Sequence, residues 1–167
     1  MSHDTQPTQL LATPFESWFL PHAYCLILLR ACPSLPCIFH GHLYGIAGPE
    51  PQPSLPFLPL LMQIRHHFAY GLQHNYWDND ECIGWTRIGR EDNDEKEGCA
   101  VVLNIGRTFQ RKKMFFGERN KGRTYKKIVG VGKMADVHIG EDGMGSFEVG
   151  PRDVGVWIKR EQAESFV

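Results

Sequence analysis

The stretch CAVVLNIGRTFQRKKMFFGERNKGRTYKKIV, residues 99–129, decides the fold. Within it, residues 99–103, 112–116 and 124–129 are short runs dense in β-branched and aromatic side chains, separated by turn clusters. The same pattern extends outward through residues 82–88, 136–139, 146–149 and 154–158. Glu141-Asp142-Gly143 and Gly150-Pro151-Arg152-Asp153 supply turn chemistry between the later runs. Six or seven short strands at this spacing, with no helix between them, predict an antiparallel sandwich or barrel. The generous totals of 17 glycines and 11 prolines agree with many turns and exclude a helical bundle.

Upstream of Gly71 the pattern changes to an apolar, proline-rich stretch with helical periodicity. Thr13-Pro14-Phe15-Glu16 reads as a capping box with proline at the first helical position. Phe15, Trp18, Phe19, His22, Leu26 and Leu29 then mark one helix face, which Pro21 is expected to bend or delay. Residues 36–39, closed by Gly41, read as a buried strand. A second helix is predicted to carry Leu58, Leu61, Met62, Arg65, Phe68 and Ala69 on one face and to stop at Gly71. Helix, buried strand, helix is the order of an α/β unit. The expected fold class is therefore α+β: residues 1–72 with α/β elements, then an all-β sandwich over residues 73–167. The second part is expected to fold on its own, and the first to be poorly ordered.

Composition narrows the function classes. At 167 residues the chain cannot hold a complete eight-stranded β/α barrel, which needs roughly 200. A net charge of −1 argues against a general polyanion binder. Five cysteines, odd in number and without CxxC spacing, favour free thiols in a reducing, cytoplasmic setting over a disulfide framework or a zinc site. No apolar run approaches the ~18 residues of a membrane helix, and no signal-peptide pattern opens the chain.

Four strings taken in order carry a resemblance: Ser2 to Pro7 (SHDTQP), Trp18 to Tyr24 (WFLPHAY), Pro36 to Gly45 (PCIFHGHLYG) and the series from Phe68 to Arg87 that ends GWTR. Lys113 to Gly117 (KMFFG) and Val154 to Trp157 (VGVW) extend it. Together they resemble the C-terminal portion of an α-amylase of glycoside hydrolase family 13, of the liquefying bacterial type and its intracellular fungal relatives. The resemblance implies the last elements of an incomplete (β/α)8 barrel followed by an amylase-type C-terminal β-sandwich. It implies endo-hydrolysis of α-1,4-glucosidic bonds in starch or glycogen with retention, hence α-glucan as partner. Asp4 would be the carboxylate that stabilises the transition state, and His3 the residue that hydrogen-bonds a sugar hydroxyl. The nucleophile and the acid/base that this chemistry also needs are absent from the sequence. The chain is accordingly expected to be inactive alone, or to serve as a non-catalytic glucan- or partner-binding module.

The resemblance also implies a calcium ion in full-length relatives, with His74, Asn75 and Asn104 or Ile105 at the corresponding positions. Calcium favours several charged oxygen ligands, so no cofactor is expected in this chain. His40 and His42 read as neighbours on an extended segment at a divergent barrel rim, and His66 and His67 as surface residues. The basic strands between Arg111 and Lys133 resemble a nucleic-acid platform. The simpler reading places their aromatics inward and their lysines outward, and no nucleic-acid or membrane partner is expected. Trp77, Trp85 and Trp157 read either as sugar platforms or as core.

Overall fold

The computed structural model describes residues 6, 10–13, 15–32, 35–48, 50–92, 96–131 and 136–164. Among them the β-rich half forms β1 (Gln73–Tyr76), β2 (Cys82–Arg87), β3 (Cys99–Asn104), β4 (Gln110–Phe115), β5 (Thr124–Val129), β6 (Val137–His138), β7 (Met144–Val149) and β8 (Asp153–Lys159). Six of these make one sheet in the order β1-β2-β3-β8-β5-β6, while β4 and β7 pair as a second. Neighbouring strands run antiparallel throughout. The expected antiparallel sandwich is present.

Register explains the core. Val101 faces Val156 across β3 and β8, and Leu103 faces Val154. Alternation therefore sends Cys99, Val101, Leu103, Val156 and Ile158 to one side of the large sheet. Ala100, Val102 and Trp157 go to the other side, against Met114, Phe116 and Phe147. The Trp157 and Phe147 rings meet edge to face, centroids 5.2 Å apart. Gly155 makes room for this indole, since a Cβ there would lie 2.2 Å from the Trp157 ring.

The first side of the sheet is covered by helices. α1 spans Leu20–Leu29, α2 spans His40–Tyr44, α3 spans Leu58–Phe68 and α4 spans Arg160–Ala163. Tyr24, Cys25, Leu28 and Leu29 of α1 share one apolar cluster with Leu58, Leu61, Ile64 and Phe68 of α3 and with Trp85, Val101 and Val156 of the sheet. The molecule thus has three layers: helices, six strands, two strands. A shared core differs from the separable N-terminal segment expected from the sequence. The physical reason is that β3 and β8 are apolar at successive positions, so both of their faces need cover.

Pro21 delays α1 as expected: it sits in the first turn, where its missing N–H has no intrahelical partner to lose, so the helix starts there after a 3₁₀ turn over Ser17–Phe19. Three local details differ from the sequence reading. The Thr13 hydroxyl donates to the Leu11 carbonyl, 3.0 Å away, in place of the expected cap; Pro14 lies outside the described residues. Residues 36–39 form no paired strand; Ile38 packs against the apolar cluster while the backbone stays extended up to α2. α3 ends earlier than expected, at Phe68 with Ala69 as its C-cap, and Gly71 lies beyond it, bridged to Gly89. The Gly71 φ of +80° and the 1.9 Å between an added Cβ and the Gly89 carbonyl oxygen leave room for no other residue.

Candidate functional site

His3 and Asp4 lie outside the described residues. Gln6, close behind them in sequence, is buried. The other residues singled out from the sequence separate into distinct environments. His40 and His42 lie on the short helix α2 and not on an extended segment. His42 is buried, with its Nδ1 2.8 Å from the Tyr24 hydroxyl in a hydrogen bond. Burial holds the His42 imidazole below its ordinary pKa and lifts that of Tyr24. His40 stays on the surface against Tyr44, ring centroids 4.7 Å apart. No metal pair is formed by these two. His66 and His67 are exposed neighbours in the last turn of α3.

His22 was legible only as part of an apolar helix face. It is buried in α1, and its Nε2 lies 3.0 Å from the Asn104 carbonyl at the end of β3. That contact latches the helix layer to the sheet.

The basic strands divide unexpectedly. Arg111 and Lys113 point outward and pair with Glu148 and Asp142. Lys112 and Lys127 are buried, contrary to the expectation that lysines face out. The Lys112 stem runs across Gly84 and its amine reaches Asp78 at the surface. Lys127 meets Asp153 inside, N to O 3.3 Å, and its amine lies 5.6 Å from the Trp157 ring centroid. Trp85 and Trp157 are core, with the Trp85 indole N–H donating to the Leu29 carbonyl at 3.2 Å. Trp77 is exposed, with the Arg30 guanidinium 4.8 Å from its ring centroid.

Beside the Lys127–Asp153 pair opens a cavity of about 750 Å³, lined among others by Phe109, Arg111, Ser146, Glu148 and Trp157. Its charges are matched within the protein: Arg111 to Glu148, Lys127 to Asp153, and Asp136 to Arg160. Such a wall offers hydrogen bonds and apolar surface without net charge, which suits a neutral polyhydroxylated ligand.

No family model matches the chain. An α-amylase of Geobacillus stearothermophilus is 36% identical to it over 99% of its length. One of Bacillus licheniformis is 35% identical over 95%, and a cytoplasmic α-amylase of Escherichia coli strain K12 is 35% identical over 96%. The chain resembles the C-terminal portion of an α-amylase of glycoside hydrolase family 13. It spans only about a third of these curated relatives, 30%, 31% and 33% of their respective lengths. Among solved structures, alternansucrase in complex with isomaltotriose superposes with a TM-score of 0.66 over 84% of this chain and 17% of its own, at 15% identity. That likeness shows the fold alone.

The amylase resemblance implies three positions for a calcium, His74, Asn75 and either Asn104 or Ile105, and their present bonding is specific. The His74 ring packs edge-on against Phe115, centroids 5.4 Å apart. The Asn75 side-chain oxygen accepts from Gln73. The Asn104 amide donates to the Thr108 and Gly150 carbonyls at 2.8 and 2.7 Å, and its oxygen accepts the Gly106 N–H at 3.0 Å. Ile105 has no oxygen donor in its side chain. This set closes loops and offers calcium no carboxylate, so it does not fit the ion. Among the described residues no group of three or more His, Cys, Asp and Glu side chains gathers into a metal site. No described helix is long and apolar enough to cross a membrane.

Proposed function

We propose that these residues are the C-terminal portion of an α-amylase-type glycoside hydrolase, truncated, and that by themselves they bind α-glucan without hydrolysing it. On this reading residues 1–72 correspond to the closing elements of the barrel, and residues 73–167 to the C-terminal sandwich. The observation that carries the reading is identity of 35–36% running along 95–99% of the chain, with the matching α-amylases about three times as long. By resemblance Asp4 stabilises the transition state and His3 holds a sugar hydroxyl. A retaining mechanism divides its work between a nucleophilic carboxylate and an acid/base, and Asp4 supplies neither. The cavity beside Phe109 and Ser146 supports glucan binding, because its paired charges and apolar wall suit sugar hydroxyls and ring faces.

The test is incubation of the purified chain with soluble starch and with a blocked maltooligosaccharide. Retention on insoluble starch, weakened by Phe109→Ala, with no release of reducing ends is the expected outcome. Sustained turnover abolished by Asp4→Asn overturns the inactive reading. Absence of any retention on starch overturns the binding reading.

A further inference from the structure

A second cavity, of about 600 Å³, lies where the end of α1, the last turns of α3 and strand β2 converge. Its wall carries Arg30, Arg65 and Arg87, with His66, Tyr70 and Cys32 beside them. Two of the guanidiniums are held in place by backbone carbonyls. Arg65 donates from Nη1 to Leu28, and Arg87 donates from Nε to Gly71 at 3.1 Å. Each retains further N–H groups. The Arg30 Nε is buried with no hydrogen-bond acceptor among the described residues. Lys96 does not line the cavity but adds a fourth cation next to two residues that do, its amine 3.3 Å from the His66 carbonyl and 4.7 Å from the Tyr70 ring centroid.

None of these four cations is in an ion pair among the described residues. The contrast with the charge-matched cavity beside Phe109 is sharp. Burial lowers the Arg87 pKa, and the nearby Arg65 charge acts in the same direction. Gathering like charges in a half-buried hollow is unfavourable unless an anion joins them.

We propose that this hollow binds a phosphate dianion, free or carried as a monoester. Guanidinium forks match tetrahedral oxyanions with paired N–H donors, and a dianion relieves the repulsion that burial intensifies. The volume exceeds what one phosphate fills, and Leu28, Ile38 and Met62 supply an apolar wall for the organic remainder. The site stands apart from the glucan reading and does not rest on it. Free phosphate and a phosphorylated hexose share the recognised chemistry, and they are told apart by experiment.

The full chain is titrated calorimetrically at low ionic strength with inorganic phosphate, glucose 6-phosphate and glucose. Both phosphates are expected to bind saturably and glucose to leave the hollow empty. Tighter binding of glucose 6-phosphate assigns the site to a phosphosugar, and equal affinities assign it to the free anion. Arg65→Gln and, separately, Arg30→Gln should each weaken binding by about tenfold or more, the loss of a charge-assisted hydrogen bond. Alkylation gives a readout that needs no variant. Either phosphate should slow modification of Cys32 in the cavity wall, while the exposed Cys37, which does not line it, serves as control. Failure of both phosphates to bind by about 10 mM overturns the proposal, as do affinities unchanged in both variants.

Discussion

Leu61→Ala is the substitution that most directly tests whether the helices and the sandwich form one cooperative body. Leu61 is fully buried in α3 and belongs to the cluster that joins α1 and α3 to Trp85, Val101 and Val156. Removing a buried leucine side chain costs about 2–5 kcal/mol, from lost transfer energy and the cavity left behind. Domains of this size have roughly 5–15 kcal/mol of stability in all. A loss of about 3 kcal/mol would lower the melting temperature by roughly 6–12 °C. Urea unfolding should be followed by far-ultraviolet circular dichroism and by near-ultraviolet signals from tryptophan. Trp157 is the decisive reporter, because it faces the two-stranded sheet and not the helices. Its transition should shift together with the helical signal. A Trp157 midpoint left at the wild-type value while helicity melts early would refute the shared core and restore an autonomous sandwich.

Lys127→Met should destabilise by about 3–5 kcal/mol, because it removes the only cation paired with the buried Asp153 carboxylate among the described residues and leaves it the Val131 N–H alone. Adding Asp153→Asn should recover part of that loss in urea titrations. Gly71→Ala should cost ~1–2 kcal/mol from its positive φ alone, with the clash against Gly89 added, and should lower the melting temperature or prevent folding. In the native state Cys32 and Cys37 should react rapidly with a thiol reagent, while Cys25, Cys82 and Cys99 wait for unfolding. Burial lifts the pKa of these last three thiols, that of Cys99 to about 12, so fast reaction of more than two thiols would contradict the packing. The hydrogen bond from Lys112 holds the Asp78 carboxyl below its ordinary pKa, so its contribution is complete above about pH 4 and is lost as pH falls through the lower folded value. The melting-temperature gap between wild type and Asp78→Asn should therefore narrow in acid, and a constant gap would count against the pairing.

The strands were legible because β-branched and aromatic residues cluster between turn residues, and β5 falls at its expected limits, Thr124–Val129. β1 was not, since Gln73-His74-Asn75-Tyr76 lacks apolar alternation and owes its place to pairing with β2. The run at residues 36–39 read as a buried strand and forms neither part of that: Ile38 is only half-buried against the core, Cys37 is exposed, and apolarity by itself specifies no backbone partner. The uniform apolarity of β3 also carried more than was read from it, namely a second cover on the sheet. Among site residues, His3 and Asp4 rest on resemblance alone. The cationic hollow was invisible in sequence, since Arg30, Arg65, Arg87 and Lys96 are scattered along the chain and only the docking of α1 and α3 beside β2 brings them together.

The position of β8 has a consequence for how the protein is made. It lies in the middle of the large sheet, with Leu103 of β3 opposite Val154 on one side and Lys126 of β5 opposite Ile158 on the other. A nascent chain that has emerged through β7 already holds β3 and β5 but not the strand that separates them. Both would then show bare edges, and the apolar side chains meant for two covers would have neither. Completion of the sheet awaits translation of its central strand, and pairings so distant in sequence form slowly even then. A premature stop ahead of Asp153 would make that exposed intermediate permanent, a substrate for chaperones and proteases.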